Sequence, residues 1–206
     1  MRAARGIAQS ETQAAIEAFE QLKERGGHRH SPPPLLSDGW GGYEEAMVEV
    51  WGKVPEYRGK GRPPSKKRAQ AGWKYLQMVK QRRPNGRMIG VKAKTIYGEE
   101  REVLALLGQS TSYVERTNLT SRHMNGRLVR KTLGYSKEPQ MLRASSVWED
   151  VLYNLGRALK SLRLESPETG NQRWIRRSPA MAAGLTEHIW KIEEILTVLP
   201  LPSTNT

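Results

Sequence analysis

The sequence lacks cysteine, and its only two aspartates, Asp38 and Asp150, stand beside nineteen glutamates. Without cysteine the chain forms neither disulfides nor cysteine-ligated zinc sites. With two aspartates, a mechanism that needs several Asp side chains is nearly excluded. The chain also lacks an apolar signal core and any apolar run of about 18 residues, which predicts a cytoplasmic protein that does not enter a membrane.

Positive charge is the property that the sequence has in excess. It contains 34 Lys and Arg against 21 Asp and Glu, which gives a formal net charge of +13. This balance predicts attraction to polyanions and binding that weakens steeply with salt. Residues 58–72 hold six of the cations, no acid, three glycines and two prolines, so they predict a loop. Lys66, Lys67 and Arg68 are its candidates for phosphate contact; the alternative is a solubilising linker.

The first half of the chain predicts alternating helices and strands. Leu35 and Leu36 form a short apolar run that ends at Asp38, before several glycines. Asp38 is either a carboxylate presented at the end of a strand or the N-cap of the following helix. The periodicity and turn signals predict a helix from Ser10 to Gly26, a helix from Tyr43 to Trp51, a hairpin of residues 73–80 and 87–97 around Pro84-Asn85-Gly86, and a helix from Glu99 to Leu107.

The second half predicts helices. A stripe of apolar residues starts at Pro139 and continues for more than 20 residues, ending before Pro167. Glu149 and Asp150 fall on the polar side of that stripe. Short helices are predicted at Ser178-Pro179 and, with Thr186 as its cap, near the C-terminus, where five apolar residues would face inward: Ile189, Trp190, Ile192, Leu196 and Leu199.

One basic stretch, Tyr113 to Lys131, contains a single acid, Glu115. If the stretch is helical, Glu115 and Arg122 share one stripe two turns apart. A carboxylate and a guanidinium in that arrangement suit a divalent metal and a nucleic-acid phosphate. The alternative is a solvated basic face with one stray acid.

Three segments resemble bacterial insertion-sequence transposases of the DDE superfamily, with insertion sequence one and its relatives as the nearest group. They are SDGWGGY (37–43), YVERTNLTSRHMNGRLVRKTLGYSK (113–137) and WEDVLYNLGRALKSLR (148–163), and SPAMAAGLTEHIW (178–190) resembles the C-terminal end of such proteins. The resemblance implies an α/β fold with a partial ribonuclease H-like core, its C-terminal part, carrying an inserted β-hairpin and C-terminal helices. Residues 33–165 would form this core, after a helix and loop of residues 1–32 and before a helical segment and tail of residues 166–206.

The resemblance also implies a set of site residues. Asp38 would be the second catalytic carboxylate and Glu115 the third, and both would ligate Mg²⁺ or Mn²⁺. In this chemistry two ions about 4 Å apart activate the attacking oxygen and stabilise the leaving oxygen. Arg122 would contact a DNA end, and the remaining cations would neutralise DNA phosphates: Arg116, Arg127, Arg130 and Lys131, with Lys66, Lys67 and Arg68 of the loop.

The chain departs from the family pattern before Asp38. No Asp precedes it, the early glutamates lie on a predicted helix, and the first three strands and any end-recognition region are missing. The sequence therefore predicts the C-terminal part of a transposase, with little or no catalysis alone and an unpaired sheet edge beside Leu35 and Leu36.

Three functions are expected in this order. The first is a DDE-type transposase that cleaves and transfers DNA strands but is catalytically impaired. The second is a non-catalytic DNA-binding remnant that binds or inhibits an intact transposase, and the third is a basic RNA-binding protein. The expected partners are double-stranded DNA and a second copy or an intact transposase, in a cytoplasmic, nucleoid-associated location.

Overall fold

A computed structural model of the chain describes residues 1–25, 28–59, 61–108, 112–129, 131–166 and 173–198. The fold is mixed α/β and divides into two compact units. Ala3–Thr120 form the N-terminal unit, and Ser121–Thr206 together with Met1–Arg2 form the C-terminal unit. Residues 33–165, expected as one core, are thus distributed over both units.

The N-terminal unit is built on a three-stranded sheet of order β1-β2-β3. Strand β1 (Leu35–Asp38) pairs in parallel with β2 (Tyr75–Arg82), which pairs antiparallel with β3 (Met88–Tyr97). The predicted strand and hairpin are confirmed, but the hairpin belongs to the same sheet as β1. Among the described residues β1 pairs with β2 alone, so its other side is a sheet edge. The helices of this unit are α1 (Glu11–Arg25), α2 (Gly42–Trp51), α3 (Glu100–Leu107) and the first part of α4 (Ser112–Met124).

Aromatic side chains fill the core between this sheet and the first two helices. Phe19 of α1 lies with its ring centroid 5.6 Å from that of Trp51 of α2, and Tyr75 of β2 is fully buried in the same cluster. Helix α1 begins as predicted, because Ser10 Oγ accepts a hydrogen bond of 3.2 Å from the N–H of Gln13. Helix α3 packs against all three strands and buries Val103 completely. Both faces of β2 are therefore covered at its N-terminal half.

The basic stretch is helical in its first part, which includes Glu115 and Arg122, but not as far as Lys131. Helix α4 ends at Met124, and Asn125 Oδ1 accepts a hydrogen bond of 3.1 Å from the N–H of Arg127, which opens a 3₁₀ turn at Gly126–Leu128. Asn followed by Gly disfavours a continuing helix, because Asn competes for its neighbours' backbone groups and Gly has a large backbone entropy. Arg127 and Lys131 thus follow the helix, and Lys131 adopts a φ of 56°. Arg130 lies outside the described residues.

The C-terminal unit contains short elements around one longer helix. Helix α5 (Pro139–Val151) continues as a π-helical turn through Leu152–Gly156 and stops there. The prediction of one helix of more than 20 residues is wrong, because the carbonyl of Leu155 accepts from Trp190 and the N–H of Leu159 donates to Arg177, both distant in sequence. The remaining elements are a 3₁₀ turn at Lys160–Leu162, the unpredicted two-stranded sheet of β4 (Leu164–Glu165) and β5 (Trp174–Ile175), α6 (Pro179–Ala182) and α7 (Ile192–Val198).

Of the last two helices, α6 begins where the sequence predicted and α7 does not. Helix α6 follows Ser178 as predicted, with Ser178 Oγ accepting from the N–H of Met181. The final helix begins at Ile192, whereas it was expected after Thr186, whose Oγ1 accepts a hydrogen bond of 2.8 Å from the Trp190 indole. Ile195 is its fully buried residue, while Ile192 and Leu196, expected inward, are more than half exposed. Among the described residues, no helix has the length and apolar character needed to cross a membrane.

A buried ion pair anchors Arg2 in this unit. The side chain of Glu149 is 3% exposed and pairs with the Arg2 guanidinium, which is 7% exposed. The same guanidinium lies 3.1 Å from Asp150 Oδ1 and 3.9 Å from the centre of the Tyr153 ring. The Arg2 backbone exchanges two hydrogen bonds with the Asn154 amide. Glu149, which was expected on the polar side of the apolar stripe, is therefore buried in a polar contact.

Candidate functional site

A cavity of about 400 Å³ opens at the carboxyl end of β1, within the N-terminal unit. Side chains of the strand ends, of the loop after β1 and of α4 line it. Asp38 is the last residue of β1 and is level with Met78 of β2. Because side chains alternate along a strand, Lys80 lies two positions further along β2 on the same face as Met78. The polar and aromatic side chains that line it include Asp38, Trp40, Tyr43, Lys80, Glu115 and Asn118.

Asp38 is exposed at the rim of the β1 end. Its Oδ1 accepts a hydrogen bond of 3.2 Å from the N–H of Trp40, so the carboxylate closes a tight turn after the strand. The alternative that Asp38 caps α2 is wrong, because the N-cap position is Gly41 and no side chain caps that end. The carboxylate thus belongs to the strand end and to the cavity.

Glu115 enters the cavity from the first turn of α4. Its Oε1 forms an ion pair with Lys80 Nζ. The Glu115 and Lys80 side chains are 55% and 42% exposed, and solvent-exposed pairs of this kind contribute about 0–1 kcal/mol. The pair is therefore weak enough for another anion or cation to separate it.

The cavity residues do not fit a two-metal centre. They offer two carboxylates, and one of them is neutralised by Lys80. Among the described residues no group of three or more metal-ligating side chains comes together. Mg²⁺ retains several waters and uses one or two carboxylates, so Asp38 and Glu115 have the donors for one ion at most, after Lys80 leaves.

A buried polar network fixes the loop that follows Asp38. The Tyr75 hydroxyl lies 2.9 Å from Ser37 Oγ and accepts a hydrogen bond of 2.9 Å from Gln77 Nε2. Gln77, which is 3% exposed, also donates to the carbonyl of Trp40 at 3.1 Å. Burial, followed by the charge of Asp38, raises the pKa of the Tyr43 phenol. The network holds the cavity wall in place from the sheet side.

No known family model, curated protein or solved structure matches this chain. Function is therefore inferred from the residues and their geometry.

The cations expected to bind DNA are distributed over both units. Arg116 of α4 is exposed in the N-terminal unit, as are the loop residues Lys66, Lys67 and Arg68. Lys67 bonds to the side chain and backbone carbonyl of Glu49, so its charge is already paired. Three others belong to the C-terminal unit: Arg122, which is exposed, Arg127, which donates a hydrogen bond of 3.2 Å to Ser136 Oγ, and Lys131, which is exposed.

Sequence reasoning missed Lys80 and Gln77 as parts of the site. The sequence placed Lys80 only at the end of an alternating run. The parallel pairing of β1 with β2, which brings Lys80 to the cavity, leaves no local sequence signal. Gln77 did carry a signal: it is a polar residue at an inward position between Tyr75 and Val79. A buried amide requires hydrogen-bond partners, so that position indicated a fixed polar network.

Proposed function

We propose that this protein acts in DNA transposition as a DDE-type transposase with a ribonuclease H-like core, and that its own metal-dependent strand cleavage and transfer are impaired. The observation that carries the proposal is the meeting of Asp38 and Glu115 in one cavity. The resemblance assigned these two acids to the same site, although they lie on a strand end and on a helix far apart in sequence.

The impairment follows from the donor set of the cavity. Phosphoryl transfer of this type relies on metal ions that are held between several carboxylates. Here two carboxylates are present, and the Lys80 ammonium occupies one of them. We therefore expect Mg²⁺ or Mn²⁺ to bind weakly and strand cleavage to be slow.

A second candidate is a non-catalytic DNA-binding protein that associates with or inhibits an intact transposase. The Lys80–Glu115 ion pair favours it, because a lysine at the carboxylate replaces a metal without supplying Lewis-acid chemistry. In this case exposed cations such as Arg116, Lys66 and Arg68 would bind phosphates, and the cavity acids would have no catalytic role.

Nicking of supercoiled plasmid in Mg²⁺ or Mn²⁺ tests the proposal. We expect weak nicking that disappears in both Asp38→Asn and Glu115→Gln. Glu100→Gln is the matched control, because Glu100 is an exposed glutamate in the first turn of α3 and does not line the cavity. Nicking that persists at the wild-type rate in Asp38→Asn and Glu115→Gln would assign the activity to a contaminant, and loss of nicking in Glu100→Gln would mean that the losses are not specific to the cavity acids. Absence of nicking, with DNA binding unchanged in all proteins, would support the second candidate.

Lys80→Met tests whether the cavity holds an ion at all. Removing a unit charge about 4 Å from a bound divalent cation in a water-like medium is worth about 2 kcal/mol, so Mn²⁺ affinity measured by electron paramagnetic resonance should rise about 30-fold. Lys74→Met is the control, because Lys74 pairs with Glu102 outside the cavity. Equal Mn²⁺ affinity in the wild type, Lys80→Met and Glu115→Gln would rule out a metal at this position.

A further inference from the structure

The whole net charge of the protein lies in one continuous segment. Residues 57–98 contain 13 of the 34 Lys and Arg and none of the 21 acids, so the rest of the chain carries 21 charges of each sign. This segment comprises the basic loop and the hairpin of β2 and β3. The loop was expected to contact phosphates, whereas the hairpin was not, although it holds about half of these cations.

Part of the hairpin extends past the rest of the sheet. Strand β1 ends level with Met78, so from Val79 onward β2 has β3 as its only strand neighbour among the described residues. Residues 79–92 are here called the hairpin arm. Four strand residues beyond β1 give it a reach of about 13 Å, to which the turn adds further length. Every residue from Lys80 to Ile89 is exposed.

The tip of the arm is an ordered turn. The N–H of Arg83 donates to the carbonyl of Arg87 at 2.9 Å, and the N–H of Gly86 donates to the carbonyl of Arg83 at 2.8 Å. Gly86 has a φ of 80°, a left-handed conformation that favours glycine. Arg82 Nη1 also donates to the Gly86 carbonyl at 3.0 Å. The turn thus presents its arginines on a fixed backbone.

Cations lie on both faces of the hairpin. Lys80 and Arg82 alternate onto one face, while Lys92 is level with Val79 and so lies on the opposite face. Arg83 and Arg87 flank the turn. Apart from Lys80, none of these arm cations forms an ion pair with an acid in the part of the chain that the structure describes. A surface that binds one flat polyanion needs cations on one face only; cations on both faces fit a cleft with two anionic walls.

Apolar side chains lie among these cations at the outer end of β3. Met88, Ile89 and Val91 are 55%, 60% and 47% exposed. In a partner that also presents apolar groups, these side chains would find apolar contacts. Edge pairing with a second copy is disfavoured, because it would bring two sets of unpaired cations together.

We propose that the hairpin arm enters the major groove of duplex DNA. This inference rests on the proposed DNA-binding function and names the element that carries it. The major groove of B-form DNA is about 12 Å wide and about 8.5 Å deep and admits a two-stranded β-ribbon. Its walls are phosphates on both sides, which match the two cationic faces. Its floor includes thymine methyl groups, which match Met88 and Ile89. The deep, narrow major groove of A-form RNA excludes such a ribbon.

The first test compares two charge-matched triple variants in DNA-binding titrations over a range of salt. The arm variant is R82Q/R83Q/R87Q; the control is K160Q/R176Q/K191Q, three exposed cations outside residues 57–98. Both lower the net charge by three. Losing three phosphate contacts should reduce the slope of log affinity against log salt by about 2.7 and the affinity at 0.1 M salt by 10-fold or more. The control should change affinity less than threefold.

A second variant separates groove insertion from charge. M88S/I89S should weaken DNA binding several-fold at every salt concentration and leave the salt slope unchanged, because the lost contacts are not ionic. Methyl green, which occupies the major groove, should compete with the protein, whereas netropsin, which occupies the minor groove, should not. A duplex RNA of the same sequence should bind less tightly than the DNA.

The outcomes distinguish this inference from the proposed function. If the wild type fails to bind DNA at low salt, both are wrong. If the wild type binds DNA and the arm variant behaves like its control, the arm proposal fails and the proposed function stands. Equal affinity for duplex RNA, or competition by netropsin alone, would also overturn major-groove binding. Circular dichroism of each variant checks that the exposed substitutions leave the fold intact.

Discussion

Replacing Arg2 should destabilise the C-terminal unit more than any surface substitution does. The Arg2→Met variant removes the guanidinium that pairs with Glu149, whose side chain is 3% exposed, and so takes a compensating positive charge away from a buried carboxylate. Removing one partner of a buried pair costs about 3–5 kcal/mol, because water does not replace the lost interaction. For a protein of this size that corresponds to a fall in melting temperature of about 6–20 °C.

Three further variants sharpen this prediction. Glu149→Gln should cost about 1–3 kcal/mol, since Arg2 keeps Asp150 at 3.1 Å and the Tyr153 ring. The double variant R2M/E149L should lie within about 1 kcal/mol of the wild type, because an apolar pair of similar volume needs no charge partner. Arg173→Met is the matched control: its pair with Glu165 is 75% and 66% exposed and should be worth less than about 1 kcal/mol.

Urea unfolding, with hydrogen exchange of the α5 amides as a second reading, measures these differences. A cost of Arg2→Met no larger than that of Arg173→Met would refute the buried pair as a source of stability. A double variant as unstable as Arg2→Met would show that the packing of the arginine stem, and not the lost charge of the guanidinium, carries the effect.

The remaining predictions concern DNA affinity, pH and capping. Replacing the three cations of residues 66–68 with Ala should lower DNA affinity and make it less dependent on salt. The salt slope should fall by less than the loss of three phosphate contacts would give, because Lys67 is already paired with Glu49. An unchanged slope would make this loop a linker. Burial, with the Glu44 hydrogen bond, raises the pKa of Tyr97 to about 12. The stability that the protonated Tyr97 phenol contributes is therefore present below a pH of about 10 and is lost between pH 10 and about 12. Tyrosinate absorbance should reveal this late titration, and Tyr97→Phe should abolish it. Ser178→Ala should cost about 0.5–2 kcal/mol in urea unfolding through the lost bond to the Met181 N–H.

Local chemistry explains which elements the sequence predicted. The hairpin turn at Pro84-Asn85-Gly86, the Ser10 cap and the Gly108 stop of α3 act on their nearest neighbours, so a reading of short windows finds them. Helices α1 to α3 and the hairpin accordingly lie where the sequence indicated.

Long-range contacts explain which elements it did not predict. The stripe of α5 continues in the sequence through Leu159, yet the helix ends at Gly156 because residues near 177 and 190 take the next backbone hydrogen bonds. Glu149 looks like a surface acid until its partner, 147 positions earlier, is known. In the cavity, the resemblance identified Asp38 and Glu115. It did not identify Lys80, because the position of Lys80 depends on the pairing register between β1 and β2.

Lys80 links the two proposals, because it lies in the cavity and also opens the hairpin arm. A DNA phosphate that binds the arm competes with Glu115 for the Lys80 ammonium, since both are anions within reach of one flexible side chain. When the phosphate takes Lys80, Glu115 loses its neutralising charge and its affinity for a divalent cation rises. Linkage makes this effect reciprocal, so Mn²⁺ must strengthen DNA binding by the same factor. The coupling must vanish in Lys80→Met, in which no shared charge remains to be transferred between the carboxylate and the DNA.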